Sequence, residues 1–424
     1  MPVLLRALVL LAFTVLVVGG IVVSIAVRRV GRTHDLPLPV ITRATIPSEI
    51  ARGDRLFRTN CLDCHAGATG APGPTGLIER RPIGARVMGA PSFLGEIWAP
   101  NLTAHPQAGI GAWTDGELAR LLRNGVRRDG RYAGSMPRFG HLADDDAAAL
   151  IGFLRSGDPL VAPDPHQVPR PGLGLAGTLA LAFAAGVDVS GDAHVPMPPR
   201  AATADYGRYL ASAVYGCVDC HTDGFSPTDQ NLRSPNLLAG GLFLRTPRGE
   251  PIYSRNLTPH PVLGIAAWTA GDLARALTTG IGPKGLSLRP PMPVFRYLDT
   301  QEAEALFAYL RSIPPVERKT PGPERERPGP DMPLDRLFAA LGCSLCHGDG
   351  APHRDTLKRA AALPLAEIAA SIRNPETRNP ATQMPTYAAV VDEAMAARLA
   401  GWIQSTRGEV RSPSSPGKAA GKGP

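Results

Sequence analysis

The sequence predicts a mainly α protein in which three tandem helical domains follow one N-terminal transmembrane helix. Three observations lead to this fold class. An uncharged stretch rich in Leu, Val and Ile runs from Ala7 to Val27. The pattern Cys-x-x-Cys-His occurs three times and accounts for all six cysteines. Two of its copies lie in a long internal repeat, since Cys61 and Cys217 are 156 residues apart.

The composition sets limits on the fold and the function. The 424-residue chain is long enough for two to four domains, because one domain takes roughly 100–200 residues. Aromatic residues make up only 5%, whereas the chain has 46 Gly and 44 Pro, so few large side chains are available to fill cores. The net charge of +8 comes from scattered arginines rather than a basic block interleaved with aromatics. The sequence therefore indicates no nucleic-acid binding.

The apolar stretch near the N-terminus predicts a membrane anchor. Its 21 uncharged residues are enough for a helix to cross the hydrocarbon layer. No clear small-x-small cleavage site follows it, so residues 1–30 are interpreted as an uncleaved signal anchor. One arginine precedes the span, and three follow it at positions 28, 29 and 32. The positive-inside rule would therefore place the bulk of the chain in the cytoplasm.

The cysteine pattern indicates covalently attached haem c. Two cysteines three positions apart lie on one face of a helical turn, so both thiols can reach the vinyl groups of one porphyrin. The adjacent histidine can then act as the proximal iron ligand. The alternatives are a zinc site, which would need four ligands, a redox dithiol, which needs no histidine, and a disulfide. The predicted sites are Cys61, Cys64 and His65, then Cys217, Cys220 and His221, and finally Cys343, Cys346 and His347.

Further matches define the two long repeats. Asn-Leu-Thr occurs at 101–103 and again at 256–258, an offset of 155 residues. Trp113 and Trp268 share that offset. A duplication with a small compensating indel explains these matches, and it predicts one domain over residues 45–157 and a second over residues 203–313.

Each repeat contains the signals of two helices. Thr114 and Glu117 have the spacing of a capping box, and Gly125 is a C-terminal stop signal; Thr269, Asp272 and Gly280 repeat the pattern. Amphipathic helices are predicted to close the repeats at 144–154 and 300–310.

The rest of the chain divides into linkers and a smaller unit. A third domain is predicted over residues 332–406, with Pro-rich linkers at 158–202 and 314–331 and a disordered tail at 407–424. The first linker contains 16 uncharged residues from Gly172 to Val187, which is short for a membrane span. We expect this apolar segment to lie on the membrane or to pack between domains.

A haem that only transfers electrons needs a sixth ligand, and methionine is a common choice that raises the reduction potential. Met136, Met292 and Met384 each follow a haem motif, precede a terminal helix and are followed by Pro. Met136 and Met292 each lie 71 residues after their motif histidine, and Met384 lies 37 residues after its own. His141 and His260 are the rival ligands.

The motifs resemble those of the class I cytochrome c superfamily, whose first and last helices cross over the haem. Gly53 and Gly207 would allow that close crossing. The first two domains are more specifically similar to the multihaem cytochrome c subunits of membrane-bound alcohol and gluconate dehydrogenases, through Asn-Leu-Thr followed by the segments 109–114 and 264–269. In bacteria the resemblance implies haem attachment outside the cytoplasm. The expected location is therefore the periplasmic side of the inner membrane, although the arginines that flank the span would by the positive-inside rule predict the cytoplasm.

The predicted function is electron transfer by three covalent haem c groups, each with axial His and Met. The chain would relay electrons between a membrane or periplasmic donor and a terminal acceptor, as a carrier or as the electron-transfer subunit of an oxidoreductase complex. Candidate partners are a membrane-bound dehydrogenase, a quinol-linked complex and a terminal oxidase. The alternative is a peroxidase-like or other haem oxidoreductase with one open iron site.

Overall fold

The computed structural model describes residues 3–68, 80–87, 95–134, 136–137, 139–169, 173–185, 189–190, 194–224, 232–322, 325–380 and 382–410. Most of the predicted tail and both ends of the apolar segment lie outside these residues. The described fold is mainly helical. Its α-helices are α1 (Val3–Gly31), α2 (Pro47–Asn60), α3 (Leu62–His65), α4 (Asp115–Asn124), α5 (Asp144–Leu154), α6 (Leu175–Leu179), α7 (Ala204–Tyr209), α8 (Cys217–His221), α9 (Ala270–Thr279), α10 (Thr300–Ser312), α11 (Leu334–Ala340), α12 (Ser344–His347), α13 (Arg354–Ala360), α14 (Leu365–Arg373) and α15 (Glu393–Ser405).

Short antiparallel β-hairpins accompany the helices in the described residues. Strand β1 (Gly67–Ala68) pairs with β2 (Arg80–Arg81), β3 (Ala85–Arg86) pairs with β4 (Trp98–Ala99), and β5 (Phe243–Arg245) pairs with β6 (Pro251–Tyr253). They lie in the long connections between the haem motifs and the following helices, where the helical periodicity of the sequence is interrupted.

Helix α1 fits the predicted anchor. Among the described residues it is the one helix long and apolar enough to cross a membrane, over Leu5–Gly31. Most of its side chains are exposed, as a lipid-facing helix requires, but Ala26 is fully buried. A second element therefore covers the C-terminal end of α1.

That element is the apolar segment of the first linker. Helix α6 continues into a π-helical stretch, Ala180–Ala185, and both pack against α1. Arg29 donates a hydrogen bond to the carbonyl of Ala182 over 3.4 Å, and its guanidinium lies 5.5 Å from the ring centroid of Phe183. Leu175 and Phe183 remain exposed. The segment thus packs on the anchor helix and leaves an apolar face uncovered.

The predicted close crossing of helices is confirmed in both repeats. Helix α2 packs on α5, and α7 packs on α10. A Cβ atom at Gly53 would lie 2.0 Å from the carbonyl oxygen of Ala149, and one at Gly207 would lie 1.9 Å from that of Ala305. Only glycine permits backbones to approach this closely.

The predicted helix signals are also confirmed. Thr114 and Glu117 form a reciprocal capping box on α4, and Thr269 and Asp272 form one on α9. The glycines that follow these helices, at 125 and 280, have φ angles of 66° and 76°, in the left-handed region that ends a helix. Local sequence therefore determines both ends of these helices.

Two hydrophobic clusters form the core. The first combines residues of both repeats, including Phe57, Phe153 and Leu306. The second belongs mainly to residues 332–410 and includes Phe338 and Leu399. Helices α13 and α14 of this C-terminal unit are not among the elements predicted from sequence.

A buried ionic cluster joins the two repeats. Arg52 donates two hydrogen bonds of 3.0 Å to the carboxylate of Asp146 and also donates to Glu302. The side chains of these three residues are only 3%, 0% and 1% exposed. The hydroxyls of Tyr209 and Tyr215 donate to Asp146 and Glu302, each over 2.7 Å. Every member of the cluster therefore has a partner.

The charge on Arg52 is retained despite this burial. Burial alone would lower the pKa of Arg52, but the hydrogen bonds and the negative charge of Asp146 outweigh it and raise the pKa. Asp146 and Glu302 are 156 residues apart and occupy matching positions near the starts of α5 and α10. One arginine thus bridges the same position of both repeats.

Replacing Arg52 should be strongly destabilising. In Arg52→Met the two carboxylates lose their shared cation, and we expect the free energy of unfolding to fall by about 3–5 kcal/mol, as for other buried pairs from which one partner is removed. Denaturant unfolding followed by circular dichroism measures this change. The control is Arg43→Met, which removes an exposed pair with Asp115 at 3.5 Å and should cost less than about 1 kcal/mol. Equal midpoints for both variants would contradict a structural role for the cluster.

Candidate functional site

Each Cys-x-x-Cys-His sequence forms a single helical turn in the structure. These turns end at His65 in α3, His221 in α8 and His347 in α12. In the first turn the thiol-bearing residue Cys61 is buried, whereas Cys64 is exposed. The two cysteines of this turn therefore differ in exposure, and both lie on the single helical turn that ends at the histidine.

The buried thiols are poor candidates for a reactive dithiol. Burial raises the pKa of the Cys61, Cys217 and Cys343 thiols to about 12 in each case. A redox-active dithiol depends instead on a lowered thiol pKa that favours the thiolate. The structure therefore argues against the redox-dithiol alternative.

The three histidines share one hydrogen-bonding arrangement. The Nδ1 atom of His65 lies 2.7 Å from the carbonyl oxygen of Pro100, and that of His221 lies 2.7 Å from the carbonyl of Arg255. His347 makes the same contact over 3.0 Å with the carbonyl of His353. A carbonyl can only accept, so Nδ1 donates and the Nε2 lone pair stays free to bind a metal.

Burial also keeps these rings neutral. It lowers the pKa of His65, His221 and His347, and the backbone carbonyls offset this effect only in part. A neutral imidazole with a free Nε2 is the form that coordinates iron.

The Asn-Leu-Thr motif supports this arrangement in the first repeat. Asn101 directly follows the residue whose carbonyl binds His65, and its side chain is buried. Its Nδ2 atom donates to the carbonyls of Asp164 and His166, both over 2.9 Å, and its Oδ1 atom accepts from the amide of Thr103 over 2.8 Å. The motif thus ties the histidine-binding loop to the chain that follows α5.

The second repeat is built in the same way. Asn256 follows Arg255, donates to the carbonyl of Val316 over 2.8 Å, and accepts from the amide of Thr258 over 2.9 Å. Sequence reasoning used Asn-Leu-Thr as a mark of duplication and of family resemblance, and it missed this structural role. The available signal was that the motif recurs at nearly the same distance from a haem-motif histidine, 36 residues after His65 and 35 after His221.

The two rival histidines are less suited to bind iron. The Nδ1 atom of His260 accepts from the amides of Val262 and Leu263, over 3.3 and 3.1 Å. Its proton then lies on Nε2, which removes the lone pair that a metal would need. His141 is exposed. His260 therefore shapes the turn in which it lies.

The methionines occupy corresponding places. Met136 and Met292 are partly buried and pack on the hydrophobic cluster that contains Cys61 and Cys217. Their amides donate to the residue three positions earlier, over 3.2 and 3.0 Å. Met384 packs on the second cluster, together with Cys343. Met136 and Met292 thus pack on the core shared by the first two motifs, and Met384 packs on the cluster that Cys343 also contacts.

These features together define a class of site. A turn that offers two thiols, one neutral imidazole with a free Nε2 and a thioether within the same apolar cluster fits a macrocycle held by two covalent bonds and an axial iron ligand. The residues therefore fit haem c, which is the group expected from the motifs.

Comparisons with known proteins agree with this class. A family model described as "Cytochrome C oxidase, cbb3-type, subunit III" matches residues 48–154. The protein named "Diheme cytochrome c-type" of Cereibacter sphaeroides is 30% identical over 288 residues, which cover 65% of this chain and 89% of that protein. The chain belongs to the c-type cytochrome family, whose members bind haem c covalently and transfer electrons.

Subunits of dehydrogenases are also similar. The "Fructose dehydrogenase cytochrome subunit" of Gluconobacter japonicus is 28% identical over 65% of this chain and 54% of its own length. The "Alcohol dehydrogenase (quinone), cytochrome c subunit" of Gluconacetobacter polyoxogenes is 25% identical over 61% and 54%. The chain thus spans about half the length of these dehydrogenase subunits.

Removing the Asn256 side chain should weaken the second site. In Asn256→Ala the buried amide of Thr258 and the carbonyl of Val316 lose their partner, so we expect a loss of about 1–3 kcal/mol of stability. Urea unfolding monitored by tryptophan fluorescence measures it. Asn60→Ala is the control, because Asn60 makes one local hydrogen bond at the end of α2. A midpoint for Asn256→Ala that equals that of the control would show that the motif does not hold the loop.

Proposed function

We propose that the chain carries three covalent haem c groups and relays electrons from a membrane-side donor to an acceptor. The observation that carries the proposal is that all three Cys-x-x-Cys-His turns leave the histidine Nε2 atom free. The covalent attachment residues are Cys61, Cys64, Cys217, Cys220, Cys343 and Cys346. The axial ligands are His65 with Met136, His221 with Met292, and His347 with Met384.

The residues of each site have separate tasks. When bound, haem c supplies the one-electron chemistry of its iron. The thiols retain the macrocycle, and the carbonyl contact of each histidine fixes the orientation of the ring. The methionine thioether favours the reduced iron and so raises the potential. The apolar clusters around Phe57 and Phe338 exclude water from the macrocycle.

The proposed organisation follows the predicted domains. An anchor over residues 1–30 precedes haem domains over 45–157, 203–313 and 332–406. The first two domains share one hydrophobic cluster and the Arg52 ionic cluster. Such a shared core holds the two haems at a constant separation, which favours transfer between them without rearrangement of the protein.

Contacts near the membrane support entry of electrons at the first haem. The chain that leaves α1 runs along the first repeat, where the amide of His34 donates to the carbonyl of Gly130 over 2.7 Å. The apolar segment also approaches this region, because a Cβ atom at Gly134 would lie 2.8 Å from Leu181. Gly134 is two residues before Met136. The loop that carries the first methionine therefore lies beside the membrane-associated elements.

The partners are proposed from the relatives and the chemistry. Similar proteins are named as cytochrome subunits of alcohol, fructose and gluconate dehydrogenases. We propose that a membrane-bound dehydrogenase or quinol-linked complex reduces this chain, and that a terminal oxidase or another carrier accepts the electrons. The haem domains would lie on the periplasmic side of a bacterial inner membrane.

The haem count tests the central claim. The purified full chain should have a mass increased by three haem groups and should keep them after acid–acetone extraction. The double variant Cys343→Ala, Cys346→Ala should lose one third of the haem absorbance, because one attachment turn is removed. Cys217→Ala with Cys220→Ala should give the same loss. A wild-type chain with two haems, whose haem content does not change in the Cys343→Ala, Cys346→Ala variant, would show that the third motif binds no haem.

The ligand assignment distinguishes electron transfer from catalysis. Three His/Met haems are low-spin, whereas a peroxidase-like enzyme needs an iron with an open sixth position. Electron paramagnetic resonance of the oxidised chain should therefore show low-spin iron, and the reduced chain should not bind carbon monoxide. A high-spin signal for one haem in three would favour the enzymatic alternative.

A further inference from the structure

The methionine loop of the second repeat contacts that of the C-terminal unit directly. Arg296, four residues after Met292, extends its side chain into the loop that carries Met384. Its Nε atom donates to the carbonyl of Thr382 over 3.0 Å, and its Nη2 atom donates to the carbonyl of Met384 itself. The Arg296 side chain is only 10% exposed.

The remaining donor of Arg296 is also occupied. Its Nη1 atom donates to the hydroxyl of Thr386 over 2.7 Å and lies 3.3 Å from the carboxylate of Glu376. The Thr386 hydroxyl in turn donates to Glu376 over 2.8 Å. One guanidinium therefore binds the Met384 loop before, at and after the methionine.

Other contacts join the same two loops. The amide of Val294 donates to the side-chain oxygen of Gln383 over 2.8 Å. The hydroxyl of Tyr297 donates to the carbonyl of Pro380 over 3.1 Å. The ring of Tyr297 also lies 5.7 Å from the guanidinium of Arg58, near the end of α2. All three haem-binding units therefore meet at this junction.

The described contacts of the Met384 backbone differ from those of the other two methionines. The amides of Met136 and Met292 are bound by a backbone carbonyl of their own turn. Among the described residues, the amide of Met384 donates to the Thr382 hydroxyl over 3.1 Å, and its carbonyl accepts from Arg296 of another unit. A contact at Met384 itself thus comes from outside its own unit.

We propose that Arg296 is a positioning residue that holds Met384 on the third haem iron by clamping its loop against the second repeat. The proposal rests on the proposed role of Met384 as an axial ligand. It also makes the paired methionine loops the direct connection between the second and third haems. Repeat 1 contains Gly140 at the position equivalent to Arg296, so that position has no side chain to form the same contacts.

The test compares Arg296→Gln with Arg296→Lys in the full chain. Arg296→Gln removes the charge and most of the donors, so we expect one third of the His/Met charge-transfer absorption of the oxidised protein to disappear. One of the three reduction potentials should fall, and the reduced protein should bind carbon monoxide at one haem in three. Arg296→Lys keeps the charge and should retain part of the band. The haem content should not change.

Arg275→Gln is the matched control. Arg275 lies in the same repeat, is exposed and pairs with Asp272 of its own helix. The His/Met charge-transfer absorption and the three reduction potentials should therefore stay unchanged. If Arg296→Gln does not fold, Gln383→Ala removes a second contact of the loop without leaving a buried charge. It should weaken the same band by a smaller amount.

The outcomes separate the two claims. A wild-type chain with fewer than three haems refutes the proposed function. Three haems with only two His/Met bands in the wild type refute the ligation of Met384, and the clamp with it. If Arg296→Gln keeps the full His/Met charge-transfer absorption of all three haems, the clamp is refuted and the electron-transfer function is not affected. If Arg296→Gln does not fold, the same result in Gln383→Ala has the same meaning.

Discussion

The hydrogen bond from a histidine Nδ1 atom to a backbone carbonyl is the constraint on which the rest of the site depends. It selects the tautomer whose Nε2 atom can bind iron, and it fixes the plane of the ring. The carbonyl must itself be held in place, which explains why Asn101 and Asn256 are buried and bind the chain after the closing helices. The predicted Pro-rich linkers therefore contribute to the proposed haem sites as well as connecting the repeats.

Much of the fold of the two repeats could be predicted, because its signals are local. The caps of α4 and α9 and the glycine crossings at Gly53 and Gly207 depend on residue types that have few alternatives. The roles of Arg52 and Arg296 could not be predicted, because both depend on partners about 90 to 250 residues away. Arginine is frequent in this chain, so nothing in the sequence distinguishes these two from the exposed ones. Helices α13 and α14 were missed because they are short and belong to the unit that departs most from the repeat.

The two interfaces between these units are held by different kinds of interaction. The repeats share a continuous apolar core, and Arg52, Asp146 and Glu302 lie at its edge with every charge paired. Removing one buried partner leaves an uncompensated charge, so this arrangement strongly disfavours separated or shifted repeats. The C-terminal unit has a second hydrophobic cluster, which also includes Ile281 of the second repeat. It meets that repeat through polar loop contacts around Arg296 as well.

This difference bears on the proposed arrangement of the three sites. The first repeat is bound to the anchor side through the chain after α1 and the apolar segment, and it is joined rigidly to the second repeat. The C-terminal unit lies at the far end of this series and is held by a clamp on its own methionine loop. In the proposed three-haem arrangement, loss of the Arg296 contacts changes the surroundings of Met384 and leaves the shared core and the Arg52 ionic cluster of the first two repeats in place.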